Sequence, residues 1–127
     1  PFNTEKDYAE ISEWWKAREW QVIPLDHLSQ TGLLIEEAGK KIACVWLYFT
    51  GTACAWFEFL ITNPNVSPRK SVAAIATLVR RALEIAKASG AKSVVTITNN
   101  PALKRLYEKG GYLPLENDIT QMIARIG

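Results

Sequence analysis

The stretch Ala53-Cys54-Ala55-Trp56-Phe57-Glu58-Phe59-Leu60-Ile61-Thr62, followed by Asn63-Pro64-Asn65-Val66-Ser67-Pro68-Arg69-Lys70-Ser71, decides how this chain folds. A short apolar run bounded by turn formers reads as a buried strand, and the polar segment after it reads as a turn into a helix. Ser67 offers a hydroxyl N-cap, and Pro68 stands at the first helical position, where its missing N–H costs nothing. From there to Ala88, Val72, Ile75, Val79, Ala82, Leu83 and Ala86 recur at steps of three and four, the spacing of one buried helix face. Gly90 stops the helix. A helix start exposes unpaired N–H groups and the positive end of the helix dipole. With Arg69 and Lys70 beside it, this start is a candidate cradle for a phosphate group.

Glu58 is the single charged side chain between Ala53 and Asn63. An ionised carboxylate in such a run is costly unless it pairs, titrates high or opens onto a wet pocket. Alternation places Cys54, Trp56 and Glu58 on one face of the strand and Phe57 and Phe59 on the other. Both faces are apolar, so helices are expected to cover both.

Upstream, Leu33 to Ala38 turns at Gly39-Lys40 into Lys41 to Phe49, which turns at Thr50-Gly51-Thr52 into the key strand. Both turns are glycine-bearing hairpin signals. Pairing Phe49 with Ala53 would set Trp46 opposite Trp56 and Cys44 opposite Glu58. A first helix is expected from Glu5 to Arg18, capped by Thr4, with Tyr8, Ile11, Trp14 and Trp15 on one side. Its tryptophans read as core; the functional alternative is that Trp15, or Trp20 just beyond the helix, lines a substrate pocket.

Downstream, Ser93 to Thr98 is a strand, and strand–helix–strand implies a parallel, right-handed crossover. Asn100 caps a second helix, with Pro101 at its first position and Gly110-Gly111 at its end. Residues 112–115 are extended, 116–118 turn, and Ile119 to Ile126 alternates as a final hairpin strand. The sheet is thus antiparallel first and parallel later.

With 127 residues, 48% of them apolar, the chain is a single domain, 1–127, with enough apolar surface for a real core. A net charge of +2 disfavours a nucleic-acid binder built on a broad basic surface. No apolar run approaches the roughly 18 residues of a membrane span, and no signal-peptide pattern is present. Cys44 and Cys54 lack metal spacing and read as buried, reduced thiols of a cytoplasmic protein. His27 is the one histidine; with no ligand cluster around it, no metal is expected, and a pocket acid or base role stays open. The candidate substrate pocket draws on Trp15, Trp20, His27, Trp46 and Trp56.

Asn100-Pro-Ala-Leu103-Lys-Arg-Leu106-Tyr107-Glu-Lys-Gly-Gly111-Tyr112 resembles the C-terminal motif of the GNAT superfamily of acyl-CoA-dependent N-acetyltransferases: Asn, two residues, Ala, two residues, Leu-Tyr, three residues, Gly-Phe. Leu103 replaces the alanine and Tyr112 the phenylalanine. Trp56 to Pro64 is similar to the family's fourth strand, which commonly carries an acid at the position of Glu58. The aromatic helix with Trp20, Pro24 and Leu28 after it resembles a small phage and bacterial branch. The family's first strand would precede Phe2, in keeping with a missing leading segment. One departure stands out. The pyrophosphate loop, usually Gln or Arg, two residues, Gly, one residue, Gly or Ala, reads Arg69-Lys-Ser-Val72-Ala-Ala74, with valine in place of glycine.

The resemblance implies an α/β fold: a mixed sheet of six or seven strands whose parallel fourth and fifth strands splay apart, with helices on both faces. It implies acetyl transfer from acetyl-CoA to a small-molecule or peptide amine by direct attack, without a metal. The main chain of Leu60, Ile61 and Thr62 would pair with the pantetheine arm. The pyrophosphate would sit on amides from Val66 to Ala74, with Ser67, Arg69, Lys70, Ser71, Val72, Ala73 and Ala74 around it. Asn100 would meet the arm from the other side. Glu58 would act as base, through a water, and Tyr107 as acid. The competing expectation is a non-catalytic GNAT-fold binding module, which Val72 favours. A homodimer stays open.

Overall fold

The computed structural model describes residues 1–2, 4–116, 120 and 122–126. Helix α1 spans Thr4–Ala17, and a short 3-10 turn covers Leu25–His27. Strands β1 (Thr31–Glu37), β2 (Lys40–Phe49) and β3 (Cys54–Thr62) follow, then helix α2 (Pro68–Ala88), strand β4 (Ser93–Val95) and helix α3 (Pro101–Lys109). The sheet runs β1-β2-β3-β4, antiparallel except for the parallel β3–β4 pair. The six or seven strands expected become four among the described residues. The expected turn at 117–118, the start of the strand expected from Ile119, and the capping side chain of Thr4 lie outside the described residues. Residues 122–126 form no strand.

Helices cover both faces of the sheet. Against one face α2 packs Ala74, Ile75, Leu78, Val79 and Ala82 over Val45, Leu47 and Phe57. Tyr107 of α3 joins this cluster. Against the other face α1 packs Ile11, Trp14 and Trp15 over Cys44, Trp46 and Ile61. A tryptophan buries roughly 150–250 Å², worth about 4–6 kcal/mol on transfer from water, so α1 is held mainly by its two indoles. Lys41 on β2 adds a polar clamp, with Nζ 3.1 Å from Glu10 and 3.5 Å from the buried Asp7.

The β1–β2 turn centres on Ala38 and Gly39, with φ of 53° and 77°, rather than on Gly39-Lys40. Two positive φ values suit the right-handed twist of a hairpin. The second hairpin also departs from expectation. Phe49 pairs with Ala55, Tyr48 with Trp56 and Trp46 with Glu58, two positions from the expected register. Thr50 explains the longer loop: its Oγ1 accepts from the Thr52 amide at 3.3 Å and donates to the Cys54 carbonyl at 2.7 Å, closing the turn before the ladder begins.

The larger surprise is a β-bulge. Cys44 pairs with Ile61 while Trp46 pairs with Glu58, so β3 holds one residue more than β2 over this interval. Phe59 takes the left-handed conformation, φ 60°. Strict alternation therefore fails: Phe57 lies in the α2-side core and Phe59 packs with the α1-side cluster. In α2 the helix starts as expected at Ser67-Pro68, with the Lys70 N–H donating to Ser67 Oγ. Its buried face is Ala74, Ile75, Leu78, Val79, Ala82 and Ala86; Val72, expected inside, is 47% exposed, and Leu83 is only half-buried. The core sits further along the helix than periodicity alone placed it.

Candidate functional site

β3 and β4 pair over only three positions, Cys54 to Trp56 with Ser93 to Val95. The strand expected to reach Thr98 leaves the sheet at Thr96, whose hydroxyl donates to the Phe57 carbonyl at 2.7 Å. Beyond that tie the chains diverge. A cleft of about 170 Å³ opens between them, with Glu58, Leu60, Thr96, Thr98, Leu103 and Tyr107 among its walls. On the α1 side a second cleft, about 450 Å³, is lined by His27, Tyr48, Trp56, Glu58, Phe59 and Ile97. Glu58, Phe59 and Ile97 belong to both, so the two spaces meet at the carboxylate.

Burial pushes the Glu58 carboxyl above its ordinary value. Among the described residues no hydrogen bond or ion pair holds it. Tyr107 is 5% exposed, edge-on to Phe57 at 5.7 Å and beside Tyr112 at 5.7 Å. Burial, opposed by a hydrogen bond with Thr96 and reinforced by the Glu58 charge, pushes its hydroxyl up to about 12. It therefore stays protonated at neutral pH. Tyr48 is raised chiefly by burial too, with Glu58 contributing, so one carboxylate acts on a tyrosine on each side of the sheet.

The site is thus an open gap between two parallel strands, with a carboxylate that is unpaired among the described residues at its centre. A model of the acetyltransferase (GNAT) family matches residues 2–112. The chain belongs to that family. The fold is shared with a protein from Agrobacterium tumefaciens str. C58 assigned as an acetyltransferase, at 18% identity and TM-score 0.65 over 98% of this chain and 96% of that one. TTHA1254 from Thermus thermophilus superposes with TM-score 0.62 at 18% identity over 100% and 95% of the two chains. The aminoglycoside N-acetyltransferase AAC(6')-Iy, solved in complex with CoA, gives TM-score 0.64 at 14% identity over 98% and 97%. A search of the curated proteins finds no match. This GNAT chain is thus a GNAT-type acyltransferase by family.

Its helix start departs from the expected cradle. α2 begins at Pro68, so the amides of Val72, Ala73 and Ala74 lie inside the helix, where each bonds four residues back. The Lys70 N–H goes to Ser67 Oγ at 3.3 Å and the Ser71 N–H to the Ser67 carbonyl at 3.1 Å. Pro68 has no N–H. Among the described residues of this turn, the Ser67 and Arg69 N–H groups are left for an outside anion, with the exposed Arg69 side chain beside them. A row of amides from Val66 to Ala74 is not what this helix presents. Lys70 leans 3.8 Å from Glu37 across the surface.

The cleft takes up some expected residues and leaves others out. Leu60 lines the gap, whereas Ile61 is buried in the α1-side core. The Thr62 carbonyl and hydroxyl accept from Arg18 Nη2 at 3.0 and 2.6 Å. Asn100 caps α3, its Oδ1 accepting from the Ala102 and Leu103 amides at 2.9 and 3.2 Å, and its Nδ2 is not used there. Of the residues expected at a substrate pocket, His27 and Trp56 line the larger cleft. Trp15 and Trp46 do not: they are 2% and 0% exposed and lie 5.8 Å apart in the core. Trp20 is 53% exposed, with the Arg18 guanidinium 5.6 Å from its ring, away from the clefts. Sequence reasoning missed Tyr48, Phe59 and Thr96. Tyr48 was within reach, two positions after Trp46 on the same strand; Phe59 was hidden by the bulge. Among the described residues no group of three His, Cys, Asp or Glu could hold a metal.

Proposed function

We propose that this GNAT domain transfers an acetyl group from acetyl-CoA to an amine. The observation that carries the proposal is Glu58, without a hydrogen-bond or ion-pair partner among the described residues, at the point where the two clefts meet. Acetyl-CoA, when bound, supplies a thioester whose carbonyl accepts the amine and whose sulfur leaves as a thiolate. Glu58, raised by burial, is the carboxylate placed to take the ammonium proton, directly or through a water. Tyr107 keeps its proton, and its hydroxyl is suited to donating a hydrogen bond toward the departing sulfur. A phenol near 12 stabilises a thiolate by that bond more readily than by full proton transfer.

Leu60, which lines the gap, would meet the pantetheine arm, with the Asn100 side chain approaching from the start of α3, and Arg69 with its own N–H would meet the pyrophosphate. The complex of AAC(6')-Iy with CoA supports a CoA thioester as donor for this fold. No helix among the described residues is long and apolar enough to cross a membrane. A cytoplasmic setting, a phage or bacterial source and a single domain over 1–127 belong to this proposal as well.

The narrowed amide cradle and Val72 favour a second reading, a GNAT-fold binding module that has lost acyl-CoA. Isothermal titration separates the two. Saturable heat with acetyl-CoA, together with thiol release on adding an amine, supports the transferase. Absence of acetyl-CoA binding at millimolar concentration overturns it and leaves the module.

A further inference from the structure

The larger cleft selects among amines by the charge it can and cannot balance. We infer that its acceptor is a small monoamine carrying its ammonium on an aromatic or similarly apolar body, and not a multiply charged amine. The inference rests on the acetyl-transfer reading above and narrows it.

Glu58 is the one acid among the residues lining this cleft. It has no partner among the described residues, so it is free to face one ammonium. The walls are rings. Tyr48 and Phe59 stand edge to face with centroids 5.9 Å apart at 75°, and Trp56 lies opposite Tyr48 in the β2–β3 ladder. The Tyr48 hydroxyl donates to the His27 carbonyl at 2.7 Å. Its polar end is thereby occupied, and what Tyr48 offers the cleft is its ring. The bulge is what brings Phe59 here, since regular alternation would turn it toward α2.

A first ammonium finds Glu58 and the ring faces, which attract cations. A second ammonium in the same cleft meets no carboxylate among the lining residues and gains nothing comparable there. The volume, about 450 Å³, lies within the roughly 300–1,000 Å³ of small-molecule sites.

The test needs no acetyl-CoA. The whole protein is titrated at low salt with 2-phenylethylamine, spermidine and 2-phenylethanol, read by tryptophan fluorescence and by calorimetry. 2-Phenylethylamine is expected to bind at least about tenfold more tightly than either of the others. Glu58→Gln should cost the amine about tenfold and leave the alcohol unchanged. Ile97→Asp, in an exposed segment outside the helices and strands, adds a second carboxylate and should move the preference about tenfold toward spermidine. Spermidine binding as tightly as the aromatic amine, or an amine affinity indifferent to both substitutions, would overturn the inference. Acetyl-CoA is titrated separately. If it binds while spermidine is preferred, the acceptor class fails and the transferase stands. If it does not bind while the aromatic amine does, the transferase fails and the selectivity of the cleft stands.

Discussion

The Thr96 hydroxyl donates to the Phe57 carbonyl at 2.7 Å, and this side-chain bond ends the contact between β3 and β4. A side chain thus stands in for the next rung of a ladder, and past it the strands are free to part. Thr96→Val keeps the shape and removes the hydroxyl, leaving the carbonyl without a partner at a half-buried position. Stability to urea should fall by about 1–3 kcal/mol, and Thr96→Ser should restore most of it. No change in the urea midpoint with valine would remove the bond from the account of the gap.

Glu58→Gln separates stability from rate. The folded carboxyl is raised from its ordinary 4.5 by desolvation. Protonation therefore favours the folded state: that stability is complete below about pH 4.5 and is lost as pH rises through the raised folded value. A neutral glutamine avoids the loss. The variant should melt above the wild type at pH 7, with the gap closing as pH is lowered to about 4. Its acetyl-transfer rate should drop by about 10²–10⁴-fold and recover in part at high pH, where the amine deprotonates unaided. A variant that melts lower at pH 7 and keeps its rate per folded molecule would make Glu58 structural.

Tyr107→Phe retains the rings packed with Phe57 and Tyr112 and removes one hydroxyl. Acetyl-CoA affinity should hold within a factor of about two. The rate should fall by about 10- to 100-fold, the size of a hydrogen bond to a charged atom. Steady-state kinetics with thiol detection decide it; full turnover takes Tyr107 out of the mechanism.

Arg69→Glu should weaken acetyl-CoA binding by about 1–2 kcal/mol, the scale of a charge-assisted hydrogen bond with a helix-dipole contribution. Because Arg69 is exposed, the effect should shrink as salt rises from roughly 0.02 to 0.5 M and screening shortens the reach of charge. Equal affinities at low salt would move the pyrophosphate elsewhere.

The two phenylalanines of β3 should respond differently. Phe57 is 1% exposed, and Phe57→Ala should cost about 3–5 kcal/mol. Phe59 is half-buried and held at φ 60°, a conformation that costs a bulky side chain about 1–2 kcal/mol and glycine little. Phe59→Gly should therefore cost clearly less than Phe57→Ala in chemical denaturation. Equal losses would mean that the bulge carries no strain.

By itself the sequence determined the order of elements, the Ser67-Pro68 and Asn100-Pro101 helix starts, the antiparallel-then-parallel sheet and the isolation of Glu58. Each follows from neighbours in the chain: caps, turn residues and hydrophobic period act within a few positions. The C-terminal motif carried the family in the same way. Where β4 ends, which side Phe59 takes and what Glu58 faces were decided by tertiary structure. The bulge in β3 shifts the pleat by one residue, and alternation has no means of counting a residue that its partner strand leaves unpaired. Trp46 and Trp56 look alike as strand tryptophans. α1 lies over Trp46 and seals it in the core, whereas Trp56, two rungs along, faces the cleft. Burial is set by what packs on top of a side chain, and that packing comes from a helix far off in the sequence, so no local pattern contains it.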